Sequence, residues 1–322
     1  MRIERKVTLL VLALGGLALT APAVVQAEPI NQFNFQVTNI KPGGRFTLLF
    51  HAQSFDTTGS VPPTPTANYL RIPKGATLRR EFLTRRFFCD GPKLRTDIDT
   101  MDFSGTPFTK RVQNLKPFIR YLQRHARSAR GKKALANAQT CDRARIGSGT
   151  VKVDARGFSA KLDQLIRGTF VVFFSRATEP GAVAGFTVLG AADEDQDIVK
   201  RRTFEVLTGV HVALNANFVN DPTSDGLYGY RLDLPPGNVN GIRVSLAEIN
   251  VTTSGLSLLK GTCLKQNASG RCVKRQRRTL FWFTIPPCPA SGSFSFQEFF
   301  SYEPPTPDSV NTVQFACPRF IP

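Results

Sequence analysis

The chain has 322 residues, with 42 Lys and Arg against 24 Asp and Glu, a formal net charge of +18. That length suits one large or two ordinary domains with a substantial core. A hydrophobic content of 41% excludes a disordered chain, and the lack of heptads or glycine triplets excludes a fibrous one.

Residues 1–27 read as a secretory signal peptide. Arg2, Arg5 and Lys6 supply a positive start, Val7 to Leu19 an apolar run of 13 residues, and Val25-Gln26-Ala27 a compact exit. The run falls short of the ~20 residues that span a bilayer, and nothing later approaches that length. No Cys stands at the cleavage site, so no bacterial lipid anchor is expected. Loss of this segment leaves a mature charge of +16. The expectation is an extracellular, soluble, basic protein.

In the mature chain the dominant signal is alternation with a period of two. It runs through Phe33, Phe35 and Val37, then Phe46, Leu48 and Phe50, with His51 on the polar side. Gly168 to Phe174 (GTFVVFF) is continuously apolar and predicts a central strand buried on both faces. Val210, Val212, Leu214, Ala216 and Phe218 alternate with His211, Asn215 and Asn217. Phe294, Phe296, Phe300 and Tyr302 share a face opposite Ser293, Ser295 and Ser301, and Val313 and Phe315 alternate likewise. Turn clusters at Pro42-Gly43-Gly44, Asp225-Gly226 and Pro235-Pro236-Gly237 separate these runs. Many short strands without β–α alternation predict an all-β protein. The expected form is one or more antiparallel β-sandwiches with a basic helical insertion, stabilised by disulfides. Residues 28–240 would form the main sandwich, and 241–322 a cysteine-rich module separate from it or continuous with it.

The insertion is the segment from Thr109 to Thr140, which has no acidic residue and nine cations. At 100° per residue, Phe118, Tyr121, Leu122, Ala126 and Ala129 fall on one side of a helix, and Arg120, Arg124, Arg127 and Arg130 on the other. Pro117 suits a first turn and Gly131 is expected to weaken or end the helix. This predicts about four turns at most.

All six cysteines lie beyond residue 27, as expected of disulfides in an exported chain. Spacing does not select a pairing; the preferred set joins Cys89–Cys141, Cys263–Cys272 and Cys288–Cys317. There is no C-x2-C pair, and His51, His125 and His211 have no ligand spacing, so no metal or cofactor is expected. The acidic run Asp193, Glu194, Asp195 and Asp197 begins like a calcium loop. It fails at Ile198 and Phe204, where Gly and Glu are needed, and Lys200, Arg201 and Arg202 neutralise it. No nucleophile elbow, phosphate loop or H-E-x-x-H occurs; Gly147-Ser148-Gly149 reads as a tight strand entry, and His51 and His211 as solvent-facing. Asn250-Val251-Thr252 and Asn267-Ala268-Ser269 are glycosylation sequons where a host uses them.

Several motifs together resemble a group of exported actinobacterial proteins. They are Cys141 to Thr150 (CDRARIGSGT), the approach Tyr69-Leu70-Arg71-Ile72-Pro73-Lys74-Gly75, and the Cys288-Pro289 to Cys317-Pro318 module around FSFQEFFSY. The resemblance implies a secreted β-rich fold and brings no catalytic residues. The basic segment Lys110–Lys133 and the Cys263–Cys272 insert depart from the group's pattern.

Charge remains the strongest functional signal. Arg120, Arg124, Arg127 and Arg130, with Arg277 and Arg278 as a second patch, are the expected contacts to polyanions, since guanidinium grips phosphate in a fork. The expected partners are anionic envelope polymers or acidic glycans, with nucleic acid bound only as a non-specific polyanion. The alternative is an exported glycan-active hydrolase whose carboxylate pair carries no local motif. A membrane-surface role for the amphipathic helix is disfavoured by its few large apolar side chains.

Overall fold

The computed structural model describes residues 29–41, 45–56, 63–79, 82–83, 87–100, 108–154, 165–193, 212–234, 238–239, 242–243, 245–253, 256–258, 263–275, 278–280, 282–284 and 288–316. Residues 1–27, expected to be a signal peptide, His211, most of the acidic run, Arg277 and Cys317 lie outside the described residues.

The chain opens with strands β1 (Pro29–Lys41), β2 (Arg45–Asp56), β3 (Ala67–Pro73) and β4 (Thr77–Leu78). Four helices follow: α1 (Gly91–Thr100), α2 (Phe108–Gln113), α3 (Lys116–His125) and α4 (Ala129–Ala144). Then come β5 (Arg145–Asp154), β6 (Leu165–Ser175), β7 (Ala182–Ala192), β8 (Val212–Asn220) and β9 (Tyr228–Leu234). Short strands β10 (Asn238–Val239) and β11 (Ile242–Arg243) precede β12 (Ser245–Thr253) and β13 (Leu256–Leu258). The chain ends with β14 (Cys263–Gln266), β15 (Cys272–Arg275), β16 (Arg278–Leu280), β17 (Phe283–Thr284), β18 (Ser293–Ser301) and β19 (Ser309–Ala316).

Eleven strands form one antiparallel sheet in the order β1-β2-β12-β5-β6-β7-β8-β9-β3-β18-β19. The sheet curls until its two ends, β1 and β19, lie beside each other; no ladder joins them among the described residues. A sheet folded over on itself buries one face without needing a second sheet. The boundary expected at 240 does not divide it: β12 lies between β2 and β5, and β18 pairs with β3.

Directly paired residues share a face, so the ladders trace the inner one from Phe174 through Phe186 to Ala216, and from Phe218 through Leu232 to Leu70. Aromatic rings fill its centre. Phe186 sits edge-on to Phe174 at 5.3 Å and to Trp282 at 5.1 Å, and Phe218 packs on Phe283 at 6.3 Å. The lone Trp thus closes the core from the β16–β17 segment.

The opposite face of β6 and β7 is covered by the helices. The approach of α1 to β7 is so close that a Cβ on Gly91 would stand 2.0 Å from Thr187 Cγ2. This is why β6 is buried on both sides, as its continuous apolar run predicts. It also corrects the expectation of a wet face on β8: Asn217 is buried there, its Oδ1 accepting from the backbone N–H and the hydroxyl of Thr178.

The helical insertion is larger than expected, with α2, α3 and α4 between 108 and 144 and α1 before them. Gly131 does not end a helix. It lies in the first turn of α4, where its N–H is capped by Ser128 Oγ at 3.1 Å. A Cβ there would meet Ala126 Cα at 2.9 Å, so glycine allows the tight α3–α4 corner. Phe118 and Leu122 are buried as expected, Tyr121 and Ala126 are partly buried, and Ala129 is exposed. Ala134, Ala138, Cys141 and Ala144 carry the buried stripe on through α4.

Two of the expected disulfides are present, Cys89–Cys141 and Cys263–Cys272. Cys288 is also disulfide-bonded, while the partner expected for it, Cys317, lies outside the described residues. Beside Cys89, Asn137 of α4 clasps both backbone groups of Asp90, donating to its carbonyl at 2.9 Å and accepting from its N–H at 3.2 Å.

Gly147-Ser148-Gly149 is the body of β5, not a strand entry. Gly149 pairs with Phe170, which pairs in turn with Gly190. A Cβ on Gly149 would lie 2.5 Å from Phe170 Cζ and 2.1 Å from the Asn250 carbonyl, so the aromatic ring occupies the space that glycine leaves.

Two stability outcomes follow. The double change of Cys89 and Cys141 to Ala opens a loop of sequence separation 52 and should cost about 4 kcal/mol in urea unfolding. Gly149→Ala should cost about 1–3 kcal/mol by overpacking the Gly149–Phe170 rung.

Candidate polyanion-binding site

The basic segment runs from α2 through the α3–α4 pair, which carries most of its cations. Lys116, Arg120, Arg124, Arg127, Arg130, Lys132 and Lys133 are all exposed, and none forms an ion pair among the described residues. The buried stripe of Phe118, Leu122, Ala134 and Ala138 faces the core, so the cations on the two helices are left to solvent by the same periodicity that buries their neighbours, while Arg127 is exposed in the corner between them. His125 caps the group: its Nδ1 lies 2.9 Å from the Tyr121 carbonyl and its ring stacks on Tyr121 at 4.4 Å. Arg111, by contrast, is spent on structure, donating to the Ile98 carbonyl at 3.2 Å.

The four arginines expected on one face of a single helix are instead divided by a corner: Arg120 and Arg124 lie on α3, Arg127 between the helices and Arg130 in the first turn of α4, all exposed. Of the second patch, Arg278 opens β16 and Arg277 lies outside the described residues. Nearby in sequence, the β14–β15 hairpin bears exposed Lys265, Arg271 and Lys274 together with exposed Leu264 and Val273.

On β3 and β9 two arginines are engaged with aspartates. Arg231 Nε donates to Asp233 Oδ1 at 2.5 Å, and Arg71 approaches Asp221 at 3.5 Å. Both guanidiniums lie over the Tyr69 ring, at 5.4 Å for Arg71 and 5.2 Å for Arg231.

His51 is not the solvent-facing residue expected. It is half-buried on β2, with Nδ1 2.6 Å from Asn250 Oδ1. Asn250 Nδ2 donates to Glu248 Oε1 at 2.7 Å, and Lys152 Nζ to Glu248 Oε2 at 2.5 Å. A carboxylate only accepts, so Asn250 must turn its oxygen to His51, and Nδ1 must carry the proton. Lys152 and then Asn250 hold the Glu248 carboxyl below its ordinary range. The first sequon is therefore tied into a cross-strand network, whereas Asn267 sits on the exposed hairpin turn.

Sequence reading missed Glu298. It alternates with the phenylalanines of β18 and so lies on the inner face, 1% exposed. Burial alone pushes its carboxyl up to about 8, and neither oxygen has a hydrogen-bond partner among the described residues. The signal was present in the period-two pattern, which puts residue 298 on the side of Phe294, Phe296 and Phe300. No second carboxylate stands beside it on β3, β18 or β19, and no group of three or more metal-ligating side chains occurs among the described residues.

No helix among the described residues is long and apolar enough to cross a membrane. Comparison of the chain with known protein families, curated proteins and solved structures finds no match.

The Glu298 environment has a pH consequence. Its carboxyl stays protonated in the folded state up to about 8, whereas in the unfolded chain it ionises near ~4.3. The folded state therefore holds more protons between those values, and stability falls as pH rises through that window. The expected slope is about −1.4 kcal/mol per pH unit from this group, read from urea unfolding across that range. Glu298→Gln should flatten it; an equal slope in the variant would refute the assignment.

Proposed function

We propose that this is a secreted protein that binds anionic polymers of the cell envelope through the exposed cations of α3 and α4. The observation that carries the reading is that Arg120, Arg124, Arg127 and Arg130, on α3, the α3–α4 corner and the start of α4, are all exposed and without ion pairs among the described residues. Outward guanidiniums without internal partners are available to phosphate or carboxylate groups of a polymer. The segment's lack of acidic residues supports this, since a ligand meets no repulsive side chain from its own sequence. The disulfides support an oxidising, extracellular setting, and the resemblance to exported actinobacterial proteins points the same way. Acidic glycans are served by the same chemistry, and nucleic acid only as a non-specific polyanion.

The test is co-sedimentation of the protein with purified cell walls at low and at physiological salt. The comparison is a variant with Ala at Arg120, Arg124, Arg127 and Arg130. Strong binding should fall with salt, and the variant's dependence of log affinity on log salt should be shallower by about three. Exposed positions of this kind should each change stability by no more than about 0.5 kcal/mol, so lost binding cannot be put down to unfolding. Equal binding by the variant would move the site elsewhere. Release of reducing sugar ends from the same walls would favour the glycan hydrolase instead.

A further inference from the structure

The inner face of the curled sheet carries a second feature, independent of the basic helices. Glu298 of β18 pairs across the ladder with Asn311 of β19 on one side and with Leu70 of β3 on the other. Asn68, two residues along β3, lies on the same face. Both Glu298 oxygens, Asn68 Oδ1 and Asn311 Nδ2 are buried and have no hydrogen-bond partner among the described residues. Such atoms in a folded protein are nearly always paired with protein, water or ligand. Here four of them converge on three adjacent strands.

Their setting is otherwise apolar. Leu70, Phe296 and Phe300 are buried on this face, and Leu234 and Val313 pack against the core. The group also lies next to the seam between the two end strands of the sheet. Asn311 is on the end strand β19, and β1 runs beside β19 without a ladder among the described residues.

We infer that Asn68, Glu298 and Asn311 form a binding site for the uncharged polar head of an otherwise apolar small molecule, entered at the β1–β19 seam. Asn311 Nδ2 donates, Asn68 Oδ1 accepts, and a neutral Glu298 carboxyl does both. The complementary head both donates and accepts, as a hydroxyl or a primary amide does, while the apolar neighbours take the hydrocarbon. A charged head is disfavoured because burying it in this setting leaves it without a counter-ion. The side chains beside Glu298 on β3, β18 and β19 hold no titratable group: they are Asn68, Leu70, Phe296, Phe300, Asn311 and Val313.

The test uses the intact protein and three probes of similar length in calorimetric titration: n-octanol, octanamide and heptyl methyl ether, which accepts but cannot donate. n-Octanol and octanamide should bind about tenfold or more tightly than the ether, because a site built for a donor leaves its acceptors unpaired otherwise. Glu298→Leu should abolish that preference, and Glu298→Gln should keep it. If Glu298→Leu fails to fold, Asn311→Leu on the end strand is the substitute, with the preference reduced. Equal affinity for the three probes would overturn the inference. So would no binding by any, in which case water alone satisfies the cluster, or a preference that survives Glu298→Leu.

Discussion

The join between the segment before α1 and the middle of α4 holds the helical layer on the sheet. Cys89 is bonded to Cys141, and Asn137, one turn earlier in α4, grips the backbone of Asp90. Asp90 then caps α1, accepting from the Lys93 N–H at 3.0 Å. One covalent bond and three hydrogen bonds therefore fix two helices at a common point. From that point α1 reaches down to Thr187 of β7 through the missing side chain of Gly91. At the far end α4 runs directly into β5, where Arg145 donates to the Gln113 carbonyl of α2. The orientation of the basic surface is a consequence of these contacts.

The same layer explains how much of the fold was legible in the sequence. Alternation marked β1, β2, β8, β18 and β19 because each is a strand with two distinct faces. The unbroken apolar run of β6 was legible for the opposite reason, being covered on both faces. The arginine face of α3 followed from helical periodicity, and so did burial of Phe118 and Leu122. What stayed hidden depended on tertiary approach. Gly131 looks like a stop because glycine is a poor helix former, but its role is to let α4 pass Ala126. Gly147 and Gly149 look like a turn, but Phe170 needs the space above Gly149. Helix α1 was missed, although Asp90 before Gly91-Pro92 and the Leu94–Ile98 spacing carry its start and its buried face. The single curled sheet could not be read either, because β12 enters between β2 and β5 from far along the chain.

Polar groups divide the molecule in a parallel way. On the outside, several charges that sit on strands of the large sheet are matched with partners, as in Lys152–Glu248 and Arg231–Asp233. On α3, α4 and the corner between them, Lys116, Arg120, Arg124, Arg127, Arg130, Lys132 and Lys133 form no ion pair among the described residues. On the inside, both Glu298 oxygens, Asn68 Oδ1 and Asn311 Nδ2 stand without a hydrogen-bond partner among the described residues on the adjacent strands β3, β18 and β19. Stability alone favours neither the unmatched cations nor the unmatched interior amides and carboxyl. Both places are where the chain retains chemistry that packing does not use.

The central claim is that the α3–α4 surface is the part of the protein that meets a polyanion. It is tested most directly by arginine-selective dicarbonyl modification, read residue by residue by mass spectrometry, with and without long-chain inorganic polyphosphate. The account predicts that Arg120, Arg124, Arg127 and Arg130 are modified in the free protein and shielded together when polyphosphate is added at low salt. Their modification should return at high salt. Shielding confined to other arginines, with these four modified equally in both conditions, would contradict it.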